Sequence, residues 1–292
     1  MFFLTPEIVL QAIINGILLG GLYVLLSIGL NLITGVLKII NFAHGEIIML
    51  SMYITFWLSL ILGFNPFELV IPISILMGLI GILTYIILIK PSLASSDIEM
   101  LMITAGLSMF MQGLAQVLWK SDYRILKVYA GAIASGGIYI SIPLLIASII
   151  SFVTSLGLYL FLMKSVRGAM IRSVAQDREM SSLLGIDTEK IYYLVTFLSF
   201  MTAGIAGVLL ISMFPTYPTA GVIYGLLAWL IMVIGGLGSV IGSFIGGIII
   251  GITESLIATF YNVELARAFI FIIFVIIIAL RPSGLLGARA RV

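Results

Sequence analysis

The sequence predicts an all-α polytopic membrane protein, with about eight to nine transmembrane helices in a single domain over residues 1–292. Three observations lead there. Of the 292 residues, 62% are hydrophobic and only 9% charged, where soluble domains hold roughly a quarter charged residues. Mean hydropathy is +1.30, and apolar runs of ~20 residues, enough to cross a ~30 Å hydrocarbon core, recur along the chain. Nothing alternates in the manner of barrel strands. The chain has no cysteine and one histidine, His44, which removes disulfides and thiolate chemistry and argues against a histidine-built metal centre. Residues 1–5 offer no cationic stretch or cleavage site, so no removable signal peptide is expected. A net charge of +2 says little about partners. The lipid bilayer is the expected surrounding, and no nucleic-acid partner is expected.

The first span runs from about Ile8 to Ile33. The second begins near Asn41 and runs to about Gly63, and the Asn65–Pro66 turn leads to a third, about Leu69 to Ile89. Lys90–Pro91 should end that span, because proline pushes the preceding residue out of helical geometry. A polar loop over residues 92–99 precedes the fourth span, about Met100 to Trp119. A second polar segment, residues 120–137 with Lys120, Asp122, Arg124 and Lys127, leads to the fifth, about Ile138 to Met163. The sixth is expected over about Tyr193 to Phe214. Three more follow at about Val222 to Ile234, Ser243 to Tyr261 and Ala268 to Leu280, the first two joined by a glycine-rich corner at Gly235, Gly236 and Gly238. The count falls to eight if a short glycine-flanked piece near the end is re-entrant.

Between the fifth and sixth spans lies the one long polar island, a loop over about residues 164–192. Arg167, Arg172, Asp177, Arg178, Glu179, Asp187, Glu189 and Lys190 place eight charges there, in a chain of 14 basic and 12 acidic residues. Met170, Ile171, Val174, Leu183 and Leu184 keep apolar residues at helical spacing, which predicts a short helix opened by Gly168 and stopped at Gly185, where glycine accepts the left-handed conformation. If the island is cytoplasmic, nine crossings put ten basic residues inside, among them Lys38, Lys90, Arg281, Arg289 and Arg291. Four lie outside: Lys120, Arg124, Lys127 and Arg267. That bias predicts an external N-terminus and a cytoplasmic C-terminus.

The 30 glycines gather in the spans. Gly16, Gly20, Gly21, Ala203, Gly204, Gly207, Gly246, Gly247 and Gly251 form small-residue rows suited to close helix packing in lipid. Asn41, His44, Gly45 and Glu46 start the second span. Asn41 reads as an N-cap and Glu46 as a first-turn acid facing the helix dipole; the same residues, with Gly235, Gly236 and Gly238, are the candidates to line a translocation path instead, where polar backbone is tolerated at membrane depth. Glu254, inside an apolar run, reads either as functional or as bonded to a neighbouring helix. Asn15, Asn31, Gln112 and Gln116 read as interhelical hydrogen-bond partners. No G-x-S-x-G, H-E-x-x-H or Walker A motif occurs, so no enzyme is expected, and any ATP must bind another chain.

Glu179 to Gly185 reads E-x-x-x-x-x-G and resembles the coupling loop of ABC importer permeases, although Met180 and Ser181 stand where that motif has alanines. GLNLITG at residues 29–35, INFAHGE at 40–46, Arg167–Gly168, LLGI at 183–186, GGLGS at 235–239 and RPSGL at 281–285 together resemble branched-chain amino acid permeases of the LivH type. The resemblance implies the ABC importer permease fold, in which Arg167, Gly168, Arg172, Asp177, Glu179, Leu184, Gly185 and Ile186 form the ATPase-coupling loop. It implies a second homologous permease or a second copy, two cytoplasmic ATPases that hold the ATP, and an extracytoplasmic solute-binding protein. It further implies location in the cell membrane. The solute would be leucine, isoleucine or valine, with urea or short amides as the alternative within the family. An ion-coupled secondary transporter is the reading outside it.

Overall fold

A computed structural model describes residues 6–93, 95–126, 128, 131–135 and 137–286. Lys127, Arg289 and Arg291 of the charge argument, and residues 1–5, lie outside these. The chain is a helical bundle: α1 (Pro6–Leu37), α2 (His44–Leu62), α3 (Val70–Thr84), α4 (Asp97–Trp119), α5 (Ile142–Lys164), α6 (Val166–Gln176), α7 (Arg178–Leu183), α8 (Thr188–Ile211), α9 (Ala220–Gly235), α10 (Val240–Phe260) and α11 (Val263–Leu280). Among the described residues, eight helical segments are long and apolar enough to cross a membrane: α1, α2, α3 with its flanking turns, α4, α5, α8, α10 and α11. The protein is therefore a multi-pass membrane protein. With 16 residues, α9 is shorter, yet it links the two ends of the bundle.

Every residue from Gly20 to Ile33 of α1 is buried, as expected of a helix that is hydrophobic all round. It packs against α10, α8, α5 and α9. The glycine rows set these contacts. A Cβ on Gly20 would lie 2.9 Å from the Ile248 Cα, and one on Gly247 would run into the backbone of Val24. Gly204 makes room for Met77 of α3, and Gly207 for Ile48 and Ser51 of α2. In lipid such backbone proximity, rather than hydrophobic exclusion, holds helices together.

The start of α1 marks one end of the bundle. Here Gln11 donates to the Tyr139 carbonyl and accepts from its amide, both at 2.6 Å. This extends a small antiparallel hairpin of β1 (Ala132–Ser135) and β2 (Ile138–Ser141). Ile138, expected to open the fifth span, is thus in a strand; the helix starts at Ile142, with Pro143 in its first turn, where a missing amide costs nothing. The island lies at the opposite end, tied to α3 by the Lys90–Glu189 ion pair at 2.5 Å. There α3 loosens into a π turn over Tyr85–Ile89 and a 3-10 turn over Lys90–Ser92 around Pro91.

A segment that turns back into the bundle precedes α2. His44 Nε2 bonds the Leu26 carbonyl at 2.9 Å, eleven residues short of the end of α1, or ~16 Å along its axis. Residues 38–43 therefore climb back beside α1, and α2 starts deep in the bundle. Asn41 is not its N-cap. Ala43 holds that position, and the Asn41 side chain accepts from the Ala43 amide at 3.0 Å, closing a local turn before the helix.

Replacing Gly251 with valine forces a branched side chain onto the backbone of Gly16 and Gly20 and is expected to cost at least ~1–3 kcal/mol, read as a lowered melting temperature in detergent. Gly106→Ala, where a Cβ meets open space, should leave melting unchanged or slightly raised.

Candidate functional site

The island folds as two helices rather than the expected one. Ser165 caps α6 by accepting from the Gly168 amide at 2.8 Å, and Gly168 packs against the carbonyls of Phe161 and Leu162, where no Cβ would fit. Arg172 reaches back to donate to the Leu162 carbonyl, fastening α6 to the end of α5. Asp177 is extended and ends α6; its side chain accepts from the Met180 amide at 3.0 Å and so starts α7. A hydroxyl pair, Ser173 and Ser181 at 2.8 Å, sets the angle between the two helices.

Gly185 stops α7 as the spacing predicts. With φ +83° its amide donates to the Ser182 carbonyl and that of Ile186 to Ser181, both at 3.0 Å. These two bonds make the Schellman pattern. Asp187 then caps α8, accepting from the Lys190 amide at 3.1 Å. That bond and the Lys190 ammonium at 3.0 Å hold its carboxyl below the usual range. The result is a six-residue helix whose last residue, Leu183, and C-cap, Leu184, are 79% and 76% exposed, beside exposed Met180, Arg178 and Glu179. Arg167 is exposed nearby. Leu183, Leu184 and Met180 thus leave an exposed apolar patch rimmed by charge on this helix.

The second group of residues is buried. His44 has no exposed surface; because a carbonyl can only accept, its Nε2 carries the hydrogen toward Leu26. Gly45 lies against the backbone of Gly221 and Gly225 in α9. Glu46, also buried, accepts from Gln112 Nε2 at 2.8 Å and forms no ion pair among the described residues. Its place in the first turn of α2 lets the helix dipole share in stabilising it. Gln112 is thus the interhelical partner expected from the sequence, now with its acceptor identified. Glu254 accepts from the Tyr23 hydroxyl at 2.6 Å, the neighbouring-helix alternative.

Gly235, Gly236 and Gly238 turn the chain between α9 and α10, with φ of +112° at Gly236 and +78° at Gly238. Asn31 grips this corner. Its Oδ1 accepts from the Gly238 amide at 2.5 Å, and its Nδ2 donates to the Ser239 carbonyl at 2.8 Å and the Ser243 hydroxyl at 2.9 Å. From the other side the Leu285 and Leu286 amides bond the Ile234 and Gly235 carbonyls at 2.9 and 3.1 Å. Gly235 and Gly236 are buried in this junction and Gly238 is exposed. The structure does not bring the corner together with Glu46 or with α7. Arg124, which the sequence offered only as one loop charge, sits instead in an aromatic cluster at the opposite end from α7; nothing in its local spacing foretold that.

Residues 12–278 match the family of the branched-chain amino acid transport system permease component. The chain is 29% identical to the high-affinity branched-chain amino acid transport system permease protein LivH of Salmonella typhimurium, over 95% of each chain. It is 28% identical to the corresponding permease protein BraD of Pseudomonas aeruginosa, over 97% of each. It is 30% identical to a probable LivH of Methanocaldococcus jannaschii, over 87% of this chain and 82% of that one. No solved structure matches the chain.

Gln112→Leu would strand the Glu46 carboxylate without its hydrogen-bond partner, for an expected loss of ~1.5–3 kcal/mol. Glu46→Gln, which can still accept from Gln112, should melt closer to the parent protein in the same thermal scan.

Proposed function

The chain belongs to the branched-chain amino acid transport system permease family, and we propose that it is the membrane-spanning permease subunit of an ABC importer for leucine, isoleucine and valine. The single observation that supports this most is the family match across residues 12–278, which includes both the buried start of α2 and the exposed α7. The chain is a transport subunit rather than an enzyme. In this reading ATP binds only on two separate cytoplasmic ATPase chains, a second permease subunit or copy completes the path, and an extracytoplasmic binding protein delivers the solute.

The island faces the cytoplasm and the N-terminus lies outside, in the cell membrane. Of the described basic residues, Lys38, Lys90, Lys164, Arg167, Arg172, Arg178, Lys190 and Arg281 then fall on the inner side and Lys120, Arg124 and Arg267 on the outer, in line with the positive-inside preference. The α7 helix is the coupling element. Leu183, Leu184 and Met180 enter a groove on the ATPase, while Arg178 and Glu179 set the register at its rim. Arg172, Gly168 and the Asp177 cap hold α7 rigidly to α5, so that ATPase closure moves the bundle rather than bending the loop. Asn41, His44, Gly45 and Glu46 border the path, and the corner at Gly235, Gly236 and Gly238 forms its inner end. Binding-protein selectivity leaves little need for a tight site within the path.

Two experiments test this reading. A tagged chain should retain an ATPase subunit in mild detergent, and lose it when residues 167–191 are replaced by a neutral linker. Gly185→Ala forces a left-handed alanine at ~1–2 kcal/mol and should lower amino acid uptake per ATP hydrolysed several-fold in proteoliposomes, as should Glu179→Ala, with membrane insertion intact. Retention of the ATPase by the linker variant, together with normal coupling in both point variants, would sink the coupling assignment.

A further inference from the structure

Arg124 joins three elements at the bundle end where α1 begins, the external side in the orientation proposed above. Its backbone pairs with Thr216 before α9, by bonds of 2.9 and 2.8 Å. Its Nη2 donates to Asp122 Oδ2 at 3.1 Å and, at 3.4 Å, to the Trp119 carbonyl ending α4. The guanidinium carbon lies 5.6 Å from the ring centre of Trp57 and 6.0 Å from that of Phe56, both in α2. One turn deeper in α2, Tyr53 stacks on Trp119 at 4.1 Å.

This small region is crowded with unsatisfied polar atoms. Arg124 Nε, Trp57 Nε1, Thr216 Oγ1 and Tyr53 Oη are all buried without a hydrogen-bond partner among the described residues. Protein interiors satisfy nearly all such groups. The chemistry of the set is one-sided. All four atoms can donate, and the arginine and tryptophan nitrogens can do nothing else. Among the described residues, the only carboxylate bonded to the guanidinium, Asp122, engages one nitrogen and is itself 64% exposed, which leaves most of the arginine fork unused. A cation and a group of donors between aromatic walls suit an anionic acceptor with an apolar body.

We propose that this cluster is the entry site for the carboxylate of an α-amino acid, closed over in the present structure and opened when the outer mouth parts. The carboxylate oxygens then accept from the Arg124 fork and from the Tyr53 and Thr216 hydroxyls, and the branched side chain lies on Phe56 and Trp57. The inference rests on the amino acid importer reading and sharpens it: urea and short amides carry no charge for Arg124, so the site favours amino acids over those solutes.

The test uses the complete importer, with its ATPases and binding protein, reconstituted in proteoliposomes. The double variant Tyr53→Phe, Thr216→Val removes two hydroxyls that donate no bond to other elements here, so the fold gives no reason for it to melt lower. We expect unchanged melting, unchanged ATPase stimulation by loaded binding protein, and roughly tenfold less leucine imported per ATP, the scale of lost hydrogen bonds to a charged group. Arg124→Gln should fall further, and Arg124→Lys should recover part of the loss. Leucine import by the double variant within twofold of the parent would overturn the site while leaving the importer reading in place. Failure of the parent complex to import any amino acid would overturn the importer reading and the site with it.

Discussion

The close approach of α1 and α10 is the contact on which the rest of the bundle depends. Within a membrane, apolar side chains gain nothing by leaving lipid for protein, so helices associate through packing and polar contacts. Gly16, Gly20, Gly247 and Gly251 bring two backbones to distances a side chain would forbid. That places α1 at the centre, where α5, α8 and α9 enclose it.

Polar side chains then fix what glycine packing leaves undetermined, namely axial position and rotation. Asn31 locks α1 to the corner before α10, Tyr23 locks it to Glu254, and Gln112 ties α4 to the buried Glu46 of α2. Each is a hydrogen bond between distant parts of the chain in a medium with no water to compete. The deep start of α2 depends on the same economy of donors and acceptors. A chain that turns back into the bundle must satisfy its amides locally, and Asn41 does this for Ala43.

The two ends of the molecule are built differently. At the island end α7 is braced by a cap, a Schellman turn and an arginine reaching back to α5, so its exposed leucines sit on a firm platform. At the other end, Arg124 Nε, Trp57 Nε1, Thr216 Oγ1 and Tyr53 Oη have no hydrogen-bond partner among the described residues. The first arrangement satisfies its polar groups within the chain, and the second does not.

Composition, length of the apolar runs and the capping residues were enough to predict a polytopic helical protein, and most of its spans, because a bilayer leaves helices little alternative. Gly185 as a stop and Asn31 and Gln112 as interhelical partners were likewise legible, since each follows from one residue's own chemistry. The island was read as one helix because its apolar period continues across Asp177; only the tertiary structure decided the break, through a carboxylate that caps the second helix better than it extends the first. Ile138 read as helix for want of any local sign of the hairpin that Gln11 holds from 128 residues away. Asn41 looked like a cap because its type and place were right, but the cap position depends on where the climbing segment meets Leu26. What the sequence determined by itself was the solvent each segment needs and the points where a helix can stop. Which polar groups meet was decided by contacts between residues far apart in the chain, and local spacing holds no record of those.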